Sequence, residues 1–168
     1  TIVGIDNNSK RLNLIKKLGF KNLININSKN YISEIYKITS GKKFDYVFES
    51  TGHSKSIENS FKLLNNNSGK LYFSTHPKKG QKISINPHEL ISGKKIFGSW
   101  GGASNLNKDI VKFSNLISKS KIKLNKLYKI YTFDTLEKLL DSFSKLSTPR
   151  TIIKMKHYLI IYLASNLK

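Results

Sequence analysis

The sequence has no cysteine, and this absence excludes several kinds of site at once. Without thiols there is no disulfide framework, no thiolate metal site and no cysteine nucleophile. Long apolar runs are also missing, because the longest, Tyr158 to Ala164, is far too short to span a bilayer. No signal peptide precedes the first predicted strand, so we expect a cytoplasmic protein with no membrane partner.

Acidic residues are scarce. The chain has 10 aspartates and glutamates but 30 lysines and arginines, which gives a formal net charge of +20. A balance this basic ordinarily raises nucleic acid as a partner. Here the lysines are scattered through every segment, without a basic helix or an aromatic-interleaved stripe, beside an excess of asparagine and isoleucine. This pattern is typical of drift in an AT-rich genome, so we expect no nucleic-acid partner. A basic nucleic-acid-binding protein is the alternative.

Arginine is also nearly absent, because only Arg11 and Arg150 stand among the many lysines. A guanidinium differs from an ammonium in offering a planar, bidentate fork of donors. The two arginines therefore indicate two places where that bidentate fork is needed. The alternative is that they are present by chance.

The first residues of the chain predict a strand followed by a helix. Residues 1–5 are mostly apolar and β-branched, which predicts a strand buried on both faces of a parallel sheet. Asp6 ends that strand, and Asn8 or Ser9 can cap a helix that ends at Gly19. A carboxylate at the tip of a parallel strand is where a dinucleotide-binding fold holds an adenosine ribose, and its charge repels a 2′-phosphate. The alternative is that Asp6 only starts the helix.

Strand and helix patterns alternate along the rest of the chain, which predicts an α/β fold with a doubly wound parallel sheet. Predicted strands cover 23–26, 44–48, 70–75, 83–85, 95–100, 128–133 and 151–154. Predicted helices cover 31–38, a segment after Gly52 with Ile57, Phe61 and Leu64, a turn at 87–92, a segment from Asn107, and a final helix capped by Asp134. Leu136, Leu139, Leu140 and Phe143 share one face of that last helix. The tail after Met155 has no clear pattern and is either an edge strand or a translation past the natural end.

A ribose-binding acid belongs about 20 residues after a G-x-G-x-x-G turn. The chain contains no such turn. Either the interpretation of Asp6 is wrong, or the turn and its strand lie upstream of Thr1 and the chain is a fragment.

Four segments favour the fragment: VGIDNNSKRL, FDYVFESTG, ISINPHELISGKKIFGSWGG and PRTIIKM. In this order and spacing they resemble the carboxyl-terminal half of zinc-dependent alcohol dehydrogenases, members of the medium-chain dehydrogenase/reductase superfamily. The resemblance implies a Rossmann-type doubly wound parallel sheet that is incomplete, with the first strand and glycine-rich loop missing. It also implies a partial NAD-binding domain at 1–103, a carboxyl-terminal return segment at 104–155 that packs on the absent catalytic domain, and an unassigned tail at 156–168.

The resemblance implies NAD as the cofactor and assigns residues to it. Asp6 and Arg11 would meet the adenosine ribose, Thr51 and Gly52 the cleft, Ser74 and Thr75 the nicotinamide, Ser99 and Trp100 its carboxamide, and Arg150 the pyrophosphate. Both arginines thus fall at cofactor positions, and a bidentate guanidinium suits a diphosphate.

The implied activity of the intact protein is hydride exchange between NAD and a small alcohol or polyol, or the matching carbonyl. The zinc ligands of the family belong to the absent amino-terminal half, so we expect neither zinc nor a catalytic residue in this chain. His53, His76, His88 and His157 lack ligand spacing and are predicted to be surface residues. The isolated chain is expected to be inactive, marginally stable and weak in cofactor affinity, because the helix start that cradles phosphate is missing.

Three further expectations follow from the resemblance. The missing first strand normally lies between the second and fourth, so its loss leaves unpaired strand edges. Relatives commonly dimerise through the strand written here as IFGSW, so the intact enzyme is expected to be a homo-oligomer. Two alternatives within the fold stay open: a zinc-free member such as a quinone reductase, and a non-catalytic nucleotide-binding remnant.

Overall fold

A computed structural model describes residues 1–100, 102, 104–120, 124–142 and 150–155. Strands and helices alternate in it, and the predicted α/β class is confirmed. The strands are β1 Gly4–Asp6, β2 Leu23–Asn25, β3 Tyr46–Glu49, β4 Lys70–Phe73, β5 Lys95–Gly98, β6 Tyr128–Thr132 and β7 Arg150–Lys154. The helices are α1 Ser9–Lys17, α2 Tyr31–Thr39, α3 Ser54–Lys62, α4 Pro87–Ile91, α5 Leu106–Lys119 and α6 Leu136–Ser142, with 3-10 turns at Leu124–Lys126 and Phe133–Thr135.

The described strands form three parallel sheets, ordered β1-β2, β3-β4-β5 and β6-β7. Among the described strands, β1 and β3 each have one partner, so each is the edge of its own sheet. The chain divides into two compact units, one of 1–3 with 28–118 and one of 4–27 with the described part of 119–168. The predicted boundaries at residues 103 and 155 stay predictions.

The first unit has its core between α3 and one face of the β3-β4-β5 sheet. Ile57, Phe61 and Leu64 recur at helical spacing and are at most 2% exposed, as is Leu71 of β4. Partly buried side chains surround this cluster: Val47, Phe73, Ile85 and Ile96. Alternate strand positions thus turn apolar side chains toward the helix.

The opposite face of the same sheet carries an aromatic ladder. The register aligns Phe48 with Tyr72 and Tyr72 with Phe97. Their rings stack at centroid separations of 5.5 and 4.9 Å, close to the strand spacing, with interplanar angles of 18° and 16°. Phe48, on the edge strand, remains 77% exposed.

In the second unit, α1 lies beside the β1-β2 pair, where Ile24 is 1% exposed. The side chain of Asn8 caps α1 by accepting hydrogen bonds from the amides of Lys10 and Arg11. Gly19 follows the helix end with φ of 100°, which confirms the predicted stop. The β6-β7 pair aligns Tyr128 with Arg150.

The predicted first strand differs from the observed one. β1 spans only Gly4–Asp6, and Ile2 and Ile5 are 78% and 39% exposed, so the expectation of burial on both faces is wrong. The reason is that β1 has β2 as its partner on one side and none among the described strands on the other. A strand at a sheet edge cannot be enclosed as a central parallel strand is.

Three local predictions also need correction. Residues 83–85 form no strand, because the amide of Ser84 donates to Glu58 Oε1 at 2.9 Å instead of to a neighbouring strand. Asp134 lies inside the 3-10 turn that precedes α6, rather than directly before the helix as predicted. On α6, Leu139 is buried as predicted but Leu140 is 61% exposed, because the described chain packs against one side of this short helix only. Phe143 and the tail at 156–168 lie outside the described residues.

In the part of the chain that the structure describes, no helix combines the length and apolarity that crossing a membrane requires.

Candidate functional site

The carboxyl ends of β3, β4 and β5 lie at one edge of their parallel sheet, and the loops that leave β4 and β5 form an open groove of about 220 Å³ there. We call it the edge groove. Such an edge is where α/β folds bind ligands. Four of its lining residues are ones that the sequence predicts at the cofactor: Ser74, Thr75, Ser99 and Trp100.

The exits of β4 and β5 are joined directly. The amide of Ser99 donates to the carbonyl of Phe73 at 2.9 Å, one residue beyond the paired strand segments. Gly98 lies against the Phe73 ring, where an added Cβ would come within 3.1 Å of the ring carbon Cζ. The floor of the edge groove is therefore built by close backbone and ring packing.

Trp100 and His76 form the rim of the edge groove. Their ring centroids are 4.3 Å apart at an interplanar angle of 64°, an edge-to-face contact. Trp100 is 82% exposed, so most of its indole is free to meet a planar ligand. His53, His76 and His88 are exposed, which confirms their predicted surface positions, while His157 lies outside the described residues. The sequence did not place His76 in the site, although it follows β4 by three residues.

The loop after β3 meets the loop after β4 through Gly52. This residue has φ of 75°, in the region that favours glycine. An added Cβ would lie 3.0 Å from Thr75 Cγ2 and 3.1 Å from the carbonyl oxygen of His76. The structure therefore brings the predicted Thr51–Gly52 turn against the wall of the edge groove.

A buried carboxylate holds this turn. Glu49 is 4% exposed, its Oε1 accepts from the Thr51 amide at 2.8 Å and from the Thr51 hydroxyl, and its Oε2 accepts from the Gly52 amide at 3.3 Å. Burial raises the pKa of Glu49, but the hydrogen bonds from Thr51, Ser56 and Gly52 outweigh it and hold the pKa below its usual value. Sequence reasoning missed Glu49, although an acid at a strand end directly before Ser-Thr-Gly was a usable signal.

In the other unit, Asp6 and Arg11 form a bidentate pair. Arg11 Nε donates to Asp6 Oδ2 at 3.0 Å, and Nη2 donates to Oδ1 at 2.8 Å. The amide of Asn8 also donates to Oδ1, at 2.7 Å. Partial burial raises the pKa of Asp6, but the guanidinium and these amide hydrogen bonds lower it more, so the carboxylate is ionised at neutral pH.

Arg150 opens β7 and lies opposite Tyr128 in the register. Across the residues described, no group of three or more acids and histidines is placed to hold a metal ion. The roles assigned above to individual residues at the cofactor stay predictions.

The groove at the carboxyl edge and the acid at the tip of β1 are the features of a nucleotide-binding dehydrogenase fold. A family model described as zinc-binding dehydrogenase matches residues 1–119. The chain belongs to the zinc-binding dehydrogenase family, which confirms the resemblance found in the sequence.

Two curated relatives are similar over most of the chain. Alcohol dehydrogenase-like 5 of Arabidopsis thaliana is 32% identical over 111 residues, which are 65% of this chain and 28% of that protein. L-threonine 3-dehydrogenase of Bacillus licheniformis is 26% identical over 113 residues, which are 62% of this chain and 32% of that protein. The matches thus span less than half the length of these relatives.

Solved structures share the fold over nearly the whole chain. Benzyl alcohol dehydrogenase from Acinetobacter calcoaceticus aligns with a TM-score of 0.80 at 27% identity, over 92% of this chain and 42% of that chain. A short chain alcohol dehydrogenase from E. coli CFT073 complexed with NADH aligns with a TM-score of 0.71 at 18% identity, over 93% of this chain and 44% of that chain. A protein from Sinorhizobium meliloti 1021 bound to NADP aligns with a TM-score of 0.75 at 13% identity, over 91% of this chain and 44% of that chain. The last two show the fold alone.

Proposed function

We propose that this chain is the nucleotide-binding part of an NAD-dependent oxidoreductase. The intact protein would transfer hydride between NAD and a small alcohol or polyol, or reduce the matching carbonyl. The dinucleotide supplies the hydride chemistry when it is bound, and this chain's residues bind and orient it. Zinc would be held by a segment outside these 168 residues, and the chain alone is proposed to be inactive.

One observation carries this proposal: predicted cofactor residues from two loops, Ser74–Thr75 and Ser99–Trp100, line a single groove at the carboxyl edge of a parallel sheet. Its volume of about 220 Å³ is below the roughly 300–1,000 Å³ of complete small-molecule sites. The edge groove therefore suits one part of a dinucleotide. The exposed indole of Trp100 fits a flat ring, as the nicotinamide is.

The Asp6–Arg11 pair supports NAD over NADP. An ionised Asp6 accepts well from the ribose 2′- and 3′-hydroxyls and repels a 2′-phosphate. Arg11 would attract that phosphate, but both of its forked donors are already engaged by Asp6. The proposed preference for NAD therefore depends on the Asp6–Arg11 ion pair remaining intact.

The remaining parts of the proposal concern partners. We propose a cytoplasmic enzyme that acts on a small-molecule substrate, without nucleic acid, and that is a homo-oligomer when intact. A chain extended upstream to include a G-x-G-x-x-G turn about 20 residues before Asp6 is the form in which turnover is testable.

Cofactor binding can be tested on the 168-residue chain itself. Trp100 is the only tryptophan, so its emission reports on the edge groove. Titration with NADH up to millimolar concentration should quench this emission saturably and raise nicotinamide emission by energy transfer, and excess NAD should reverse both. NADPH should bind more weakly. A folded chain that binds neither nucleotide, by fluorescence and by equilibrium dialysis, overturns the proposal.

A further inference from the structure

The buried carboxylate of Glu49 lines no part of the edge groove, yet it anchors the turn that lies against Thr75 and His76 of the groove lining. We propose that ionised Glu49 is a positioning residue, which holds the Thr51–Gly52 turn so that His76 and Trp100 keep their places at the groove rim. The effect that we expect on cofactor affinity rests on the proposed function, whereas the effect on the positions of His76 and Trp100 does not.

The ionised form is required because two backbone donors meet two different oxygens. The Thr51 amide donates to Oε1 at 2.8 Å, and the Gly52 amide donates to Oε2 at 3.3 Å. Backbone N–H groups cannot reverse into acceptors. An amide in its place turns a donor toward one of these N–H groups and leaves it unsatisfied in a buried site, and a protonated carboxyl leaves one of them with a weaker acceptor.

A continuous path of contacts joins this turn to the rim. With φ of 75°, Gly52 lies so close to the next loop that an added Cβ would be 3.1 Å from the His76 carbonyl oxygen. The His76 ring in turn contacts the Trp100 ring, at 4.3 Å between centroids. A turn released from Glu49 therefore moves the residue that packs against the indole.

The titration of Glu49 can be separated from that of its neighbours. The groups that hydrogen-bond to it from the turn and from α3, namely Thr51, Gly52 and Ser56, are uncharged. His76 is titratable and contacts the Trp100 ring. A His76→Phe background removes that titratable group but keeps a ring against the indole.

The first experiment needs no cofactor. Trp100 emission is followed from pH 7 into acid in the His76→Phe chain, with far-UV circular dichroism to restrict the analysis to folded protein. We expect a step in emission at acid pH, which Glu49→Gln abolishes. The matched control is Glu58→Gln, since Glu58 also accepts a backbone hydrogen bond, from Ser84 at 2.9 Å, but lies outside the groove lining. Glu58→Gln should keep the step.

The second experiment measures NADH affinity at pH 7. Loss of one buried hydrogen bond predicts about a tenfold weaker Kd for Glu49→Gln, with Glu58→Gln within about twofold of the unsubstituted chain. An acid step that survives Glu49→Gln, or an unchanged Kd in a chain that binds NADH, overturns the inference. If the step is lost while no variant binds NADH, the inference stands and the proposed function fails.

Glu49→Gln could fail to fold, so Thr51→Val gives an independent test. It removes the hydroxyl that donates to Oε1 and keeps both backbone donors. Because one hydrogen bond to the carboxylate is lost, the acid step should move to higher pH. A step that does not move, or no step in the His76→Phe chain, contradicts the inference.

Discussion

The guanidinium of Arg11 occupies both oxygens of the Asp6 carboxylate, with Nε 3.0 Å from Oδ2 and Nη2 2.8 Å from Oδ1. Asp6 ends β1 and Arg11 lies in the first turns of α1, so the pair ties a strand end to the helix that follows it. Arg11 is 55% exposed, and an exposed pair of this kind contributes at most about 1 kcal/mol to stability. We propose that its importance lies in the choice of cofactor.

Asp6→Asn should shift the preference from NADH toward NADPH. The substitution removes the negative charge that repels a 2′-phosphate and frees part of the Arg11 fork to bind it. We expect the ratio of Kd values for the two nucleotides to change by about tenfold, measured by titration of Trp100 emission. Adding Arg11→Gln should cancel the gain in NADPH affinity. A ratio that Asp6→Asn leaves unchanged would show that the pair does not meet the ribose.

Gly52→Ala tests the contact between the turn after β3 and the loop after β4, which lines the edge groove. The new Cβ would stand 3.0 Å from Thr75 Cγ2 at φ of 75°. Gly41→Ala is the matched control, because Gly41 has φ of 77° and nothing within 4 Å of the added Cβ. By urea unfolding, Gly41→Ala should cost about 1 kcal/mol and Gly52→Ala about 2–4 kcal/mol. Equal losses would mean that the loop contact is absent in solution.

Glu49 should make stability depend on pH in the acid range. Its folded pKa lies below the usual value of 4.5, so it stabilises the fold above that value and the contribution is lost as pH falls through the folded pKa. Glu49→Gln should therefore be less stable than the unsubstituted chain at pH 7, and the difference should shrink toward pH 3. Ser56→Ala removes one hydrogen bond to the carboxylate and should give a smaller change of the same sign. Urea unfolding between pH 3 and 7 measures both, and a difference that stays constant over this range would contradict the assignment.

The sequence located the elements and the groove for a physical reason. Alternating strand and helix periods require a parallel sheet, and the ends of parallel strands meet at one edge, which brings Ser74 and Ser99 together. Hydrophobic periodicity cannot reveal which neighbouring strands and helices cover a given side chain. It therefore overestimated the burial of Ile2 and Leu140, which are 78% and 61% exposed.

Contacts that depend on tertiary placement were also beyond the sequence. The Phe48–Tyr72–Phe97 ladder requires the exact pairing of three strands, which local patterns leave undetermined. The position of Glu49 before Ser-Thr-Gly was a usable signal, but the two amides that bind its carboxylate are seen only in the structure.

Lys94 is the clearest case, because 30 basic residues give no sign of which one is buried. Its side chain is 1% exposed, and Nζ donates to Glu89 Oε1 at 2.5 Å and to the Phe61 carbonyl at 3.2 Å, so it links α4 to α3. Lys94→Met keeps the volume but loses both charge-assisted hydrogen bonds, and should cost about 1–3 kcal/mol by urea unfolding. The adjacent, exposed Lys95 is the control, and Lys95→Met should stay within about 0.5 kcal/mol. If the two variants unfold alike, the ammonium of Lys94 is hydrated in solution and the link between the helices is made by apolar packing alone.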